Sequence, residues 1–398
     1  MRRFATVSIG LLAFLIGAAP VAAASWSHPA TITTSHDAFP SYARSLAVAG
    51  GVDHLVDSRL TGQIEYRRST NDGASWSAPT VLAQPDATFT SVLGDPAIAA
   101  RGSLVVVAYR AHDATAAYLF IRRSLDRGRT WGAPEQVARV VTDRRIGEQS
   151  VAISAAGVFL TWTDRSNGEI ELRRSVDAGA HFAPVQHIGV TSYTFFPDNP
   201  TYTDGLIGLA ASGRAVYLAW SPSGNGYADS IVLSRSVDGG STFLPARTIF
   251  VGPSFGWASL AAASGYLVGQ FQTPDGNLWM FHSSDRGRHV ATHRFAGPGV
   301  TSTVFEGSVA VDHEGNALIT YNRTKPGVGD AAPIGNILVR RSHDGGRHWS
   351  GPAIAAGKVS GPGNIATAFV GDDRTLLVFA TCQDSSFSVC DVAEVRGH

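Results

Sequence analysis

One short phrase is written six times along the chain. Its clearest copy is Ser124-Leu125-Asp126-Arg127-Gly128-Arg129-Thr130-Trp131. The first copy carries Ser69, Asn71, Gly73 and Trp76 at the same offsets, with Asn in place of Asp. Ser175, Asp177, Gly179 and Phe182 make the third copy, and Ser236, Asp238, Gly240 and Phe243 the fourth. The fifth keeps Ser283, Asp285 and Gly287 but closes on Val290, and the sixth returns to Ser342, Asp344, Gly346 and Trp349. The pattern is Ser-x-Asp-x-Gly-x-x-aromatic, and its residue types are those of a tight turn. Ser and Asp side chains bond to nearby backbone amides, and Gly takes a positive φ. The aromatic is expected to tuck back and anchor the turn to the next layer of structure.

Spacing says what these turns build. The Ser positions 69, 124, 175, 236, 283 and 342 lie 55, 51, 61, 47 and 59 residues apart. A period of about 40–50 residues or slightly more, filled by short strands, marks a β-propeller. Each unit opens with small and branched residues, at 97–100, 151–156, 206–211, 260–263, 309–311 and 365–370, which suit inner strands crowded at the axis. A bulkier strand ending in an aromatic follows, as at 104–109 and 158–162, and a third strand runs into the turn. Pro79, Pro134, Pro184, Pro245 and Pro352 come just after a turn, at the start of an outer strand whose edge tolerates a missing N–H. The pairs Arg67-Arg68, Arg122-Arg123, Arg173-Arg174 and Arg340-Arg341 recur on the third strand and read as a structural position rather than an anion patch.

The ends bear on the blade count. Trp26-Ser27-His28-Pro29 matches the segment after a turn, as in Trp76-Ser77-Ala78-Pro79, with no turn before it. The C-terminus supplies three strands, at 365–370, 376–379 and 389–395, and stops. If the N-terminal strand completes that last blade, the propeller has seven four-stranded blades. A ring of six, with one blade misread, is the alternative.

Residues 1–24 read as a secretory signal peptide: Arg2 and Arg3, an apolar run from 4 to 18, and Ala22-Ala23-Ala24 as the cleavage site before Ser25. The expectation is an exported chain with one propeller domain over 25–398, no membrane span and a monomeric state. Thirty-two Lys and Arg balance 32 Asp and Glu with no block of one sign, which argues against nucleic acid as a partner. In an exported chain the two cysteines, Cys382 and Cys390, are expected to pair across the last hairpin. No zinc spacing, phosphate-binding Gly loop or nucleophile elbow occurs, so no metal and no cofactor are expected.

The repeats resemble Asp boxes, the BNR repeats of sialidase-like propellers, and the resemblance covers essentially all of 25–398. It implies an all-β fold in which the boxes lie on one face and a ligand site on the other. On that open face the sequence offers Asp95, Glu148 and Glu306 at the starts of inner strands, and Arg59, Arg110, Arg165 and Arg323 at the ends of second strands. It also offers a long connection at 191–204 carrying Tyr193, Phe195, Phe196 and Tyr202.

Sialidase-like enzymes hold a substrate carboxylate with an arginine cluster, whose planar guanidinium matches it as a bidentate fork. They use an Asp acid/base and a Tyr nucleophile helped by a Glu. Glu306-Gly307-Ser308-Val309 with Tyr321-Asn322-Arg323 resembles the family segment holding the helper Glu and one arginine, with a spacing one residue longer. The resemblance gives Glu306 the helper role and Arg323 the carboxylate, which Arg59 and Arg165 would grip with it; Asp86 is the nearest candidate for the acid/base, and Tyr202, or Tyr193, would be the nucleophile only in a rearranged site. Glu148, Asp95 and Tyr193 would line the sugar site. The chain departs from the family at three points: Tyr42-Ala43-Arg44-Ser45 replaces an Arg-Ile-Pro signature, no Tyr follows Tyr321, and a seventh blade is counted. Two functions stay open. One is an exo-glycosidase releasing an anionic terminal sugar such as sialic acid. The other is a non-catalytic propeller binding a glycan, glycoconjugate or protein.

Overall fold

Small residues at the axis, β-branched and aromatic residues behind them and a proline-marked edge outside produce seven antiparallel sheets, each one blade. The structure is a computed structural model describing residues 25–33, 37–40, 44–141, 146–147, 149–165, 167–191, 207–222, 228–254, 258–296, 303–325, 332–371, 374–383 and 389–397. Blades 2 to 6 are each laid down in chain order from axis to edge. Blade 2, for example, comprises Ser91–Arg101, Leu104–His112, Ala116–Ser124 and Glu135–Val141. In blade 1 two short segments share the inner position. Ala38–Pro40 pairs with residues 57–59, and Leu46–Ala49 pairs with residues 52–55.

Blade 7 settles the count at seven. Its strands Gly363–Gly371, Arg374–Cys382 and Cys390–Gly397 are completed by Ala30–Thr31, which pairs with Glu394 and Ala393. Trp26 bridges to Gly397, and Thr33 Oγ1 accepts a hydrogen bond from the Val392 amide. The ring is thus closed by strands from opposite ends of the chain. Cys382 and Cys390 face each other in register in this blade and are joined by a disulfide.

All six repeated turns use the same bonds. The Ser Oγ accepts the Gly amide at 2.8–3.0 Å and donates to the Asp (or Asn71) Oδ1. That Oδ1 in turn accepts the amide four residues on. The residue before the Gly is left-handed as well. Asp72, Arg127, Ala178 and Arg286 have φ of 56–62°, and Gly239 and Gly345 fill the same place. The closing side chain packs on the preceding blade: Trp131 on Tyr66, Phe243 with Phe159, Trp349 on Phe295, and Trp76 donating to Glu394 at 3.1 Å. Val290 joins Tyr217 in the same manner, so the fifth copy keeps its anchor without an aromatic.

The arginine pairs stitch blades together. Arg122 donates to the Leu82 carbonyl and Arg173 to that of Val137, each on the outer strand of the blade before. Arg340 lies over Phe295 of blade 5, and Arg174 donates to Ser241 of blade 4. Inner strands are sewn similarly, by Ser150 to the Ile207 carbonyl and Ser154 to that of Gly213.

Candidate functional site on the open face

Register fixes which end of a blade is which. Asp53 pairs with Ser69, so the repeated turn lies at one end of blade 1, and the hairpin after Arg59 lies at the other. The starts of the inner strands share that second, open face, and there the ladders break. In blade 2 the register shifts between Leu93 and Ala97, and Asp95 within this bulge is left-handed at φ 64°. In blade 6 it shifts between Phe305 and Gly307, which makes Glu306 the extra residue. Blade 7 shifts between Gly363 and Ala366, with Asn364 at φ 49°. A bulge bends its strand and re-aims a side chain. The added residue in the spacing from Glu306 to Arg323 is therefore absorbed by backbone. Arg323 stays in ladder register opposite Val304 and Asn336, and it is exposed.

Three blades meet beside Asp95. Gln149, fully buried, donates from Nε2 to the Asp95 carbonyl at 2.8 Å. Its own carbonyl accepts Arg44 from blade 1. Arg110 of blade 2 donates to the Ile146 carbonyl at 3.2 Å. Two guanidinium groups and a strained aspartate are thereby gathered around 146–149. Arg44 and Arg110 lie far apart in the sequence and meet only through the fold. The contact between Arg44 and Gln149 spans 105 residues and has no local signature.

The other expected residues fall at separate places on this face. Asp86 is exposed and caps its own loop, its Oδ1 accepting the Thr88 and Phe89 amides, both at 2.7 Å. Arg165 is half-buried in the blade 3 hairpin. Arg59 is held on both sides, NH1 by Asp37 at 2.6 Å and NH2 by Glu65 at 2.7 Å. Glu65 also takes Arg67, whose other arm holds Asp57 at 2.6 Å. Asp57 has no solvent exposure, and burial pushes its pKa up to about 7 against the pull of Arg67. This chain of charges lies where the N-terminal segment, blade 1 and blade 7 converge, since Asp37 also bridges to Cys390. Tyr321 is fully buried against Phe295. Glu148, Tyr193, Tyr202 and the leader 1–24 lie outside the described residues, as does the side chain of Glu306. Among the described residues no helix is long and apolar enough to cross a membrane.

No protein-family model matches the sequence, and no curated protein sequence matches it either. Solved structures do. A protein of unknown function from Dyadobacter fermentans is 13% identical, with a TM-score of 0.53 over 94% of this chain and 99% of that one. A PL25 polysaccharide lyase, an ulvan lyase, is 11% identical with a TM-score of 0.54 over 89% and 93%. The endosialidase of phage phi92 is 12% identical with a TM-score of 0.50 over 93% and 68%. At these identities the likeness is one of fold.

Proposed function

We propose that the protein is an exported, monomeric Asp-box propeller of the sialidase-like type that takes a glycan ending in an acidic sugar on its open face. One observation carries this reading. Asp95 and Glu306, acids at the starts of two inner strands, both occupy β-bulges, and such distortions concentrate beside active sites. Arg44 donates to the Gln149 carbonyl and Arg110 to that of Ile146, so positive charge stands on the segment that Gln149 ties to Asp95, as an acidic sugar needs. In the hydrolytic form of the reading, Arg165 and Arg323 bind the sugar carboxylate with Arg59. Glu306 and Asp86 then handle protons, and Tyr202 is the nucleophile. Glu148 and Tyr193 complete the sugar site.

The second reading is a glycan- or protein-binding propeller without hydrolysis. The double engagement of Arg59 by Asp37 and Glu65 favours it, because a guanidinium so held has no free fork for a substrate. The test is turnover of fluorogenic aryl glycosides, anionic and neutral, by the chain from Ser25 onward, with Arg323→Ala, Glu306→Ala and Arg44→Ala alongside. Sialoside turnover abolished by Glu306→Ala and Arg323→Ala supports hydrolysis. Binding of acidic glycans that Arg44→Ala weakens, without turnover, supports the second reading. Neither binding nor turnover of any glycan by the folded chain removes the hydrolytic and glycan-binding readings and leaves only a protein partner.

A further inference from the structure

Blade 3 carries a constellation that none of these roles uses. Glu169 and Glu171 are two residues apart on Glu169–Ser175 and share one face of the sheet. His187 on Gln186–Val190 pairs directly with Glu171, beside a register shift in the outer strand. His187 Nδ1 lies 3.1 Å from Glu169 Oε2 and 4.0 Å from Glu171 Oε1, and the three donor atoms all fall within 4.8 Å of one another. Tetrahedral ligands at the usual Zn–N and Zn–O distances stand about 3.4 Å apart, so small rotations of two partly exposed carboxylates and an exposed imidazole would close a shell.

A second observation points to the same place. Trp162 is only 1% exposed, and its Nε1 has no partner in hydrogen-bonding geometry. It is the register partner of Glu171 on the other side, so the two side chains stand on the same face of the sheet. A buried, unpartnered indole N–H beside a carboxylate is the kind of outer-sphere group that orients a metal ligand.

We propose that Glu169, Glu171 and His187 form a surface site for a first-row divalent cation, with Zn2+ the best fit. One imidazole nitrogen with two carboxylates disfavours Ca2+ and Mg2+, which prefer all-oxygen shells. Three protein ligands leave a fourth position open to water or to a ligand oxygen.

The test is calorimetric titration of the tag-free chain, stripped with chelator, with ZnCl2 at pH 7.5, and with CaCl2 in parallel. The expected result is one saturable Zn2+ site that His187→Ala and Glu171→Gln each weaken at least about 10-fold. His181→Ala, which removes an exposed His–Asp pair at a repeated turn, should leave it unchanged. Zn2+ should also raise the thermal midpoint of the wild type and not that of His187→Ala. The substituted side chains are partly or largely exposed, so the variants are expected to fold, and circular dichroism checks this. No saturable uptake by the wild type, equal affinity in His187→Ala, tighter Ca2+ than Zn2+ binding, or loss on His181→Ala would each overturn the assignment.

Discussion

Trp131 stands edge-on to Tyr66, ring centroids 4.8 Å apart and planes at 72°, across the boundary between the turn of blade 2 and the third strand of blade 1. The repeated turn is therefore an inter-blade fastener as well as a local structure. Trp131→Ala removes a partly buried aromatic and an aromatic pair and is expected to cost about 2 kcal/mol. Chemical unfolding measures it, and a loss below about 0.5 kcal/mol would mean that the ring does not fasten the blades.

Gly128 and Gly102 separate backbone strain from contact. Both have positive φ, 74° and 62°. A Cβ on Gly102 meets open space, whereas on Gly128 it would come 1.8 Å from Tyr66 Oη. Gly102→Ala is expected to cost about 1 kcal/mol, from the left-handed conformation alone. Gly128→Ala should cost at least about 2 kcal/mol more, because Tyr66 must move. Equal costs from paired thermal melts would refute the contact.

Asp57 gives a pH dependence of stated sign. Its folded pKa, about 7, lies above the ordinary 3.8, so between these values the folded state holds a proton that the unfolded state releases. On its account stability is greatest below pH 3.8, falls as pH rises through that window, and is lowest above 7. Asp53, raised to about 6 by burial, acts in the same direction over part of the range. Asp57→Asn should flatten the fall in thermal midpoint between pH 5 and pH 7. Superimposable pH profiles for the variant and the wild type would count against a raised Asp57.

The disulfide closes a short loop, Cys382 to Cys390, on the blade that receives the N-terminal strand. Replacing both with Ser is expected to cost about 2–3 kcal/mol by the chain-entropy relation for a loop of this length. The double variant and the reduced wild type should then unfold at the same denaturant concentration. A midpoint for the double variant equal to that of the oxidised protein would show that the bond contributes nothing.

Much of the scaffold was legible because it repeats. Ser, Asp and Gly at fixed offsets predicted the turns, and the unmatched Trp26-Ser27-His28-Pro29 predicted the shared blade. The left-handed residue before each Gly was hidden because Asp72, Arg127 and Ala178 have no common chemistry. The open face was harder still. Arg59 looked like a free guanidinium until Asp37 arrived from the N-terminal segment. The longer spacing between Glu306 and Arg323 became a bulge that periodicity alone does not reveal. His187 and Glu171 meet across a hairpin, with no motif to announce it.

The shared last blade also sets an order of events. Thr33 and Asp391 hydrogen-bond across 358 positions of sequence, so the outermost strand of that blade is synthesised before nearly everything it will touch. Blades 2 to 6 pair only with neighbours in sequence and can form as the chain lengthens. The seam waits for both ends, and contacts of such long separation are the slow ones. A chain interrupted just before Cys390 would leave Arg374–Cys382 with an unpaired outer edge and Ala30–Thr31 with no partner, a species suited to joining its own kind rather than to holding a ligand.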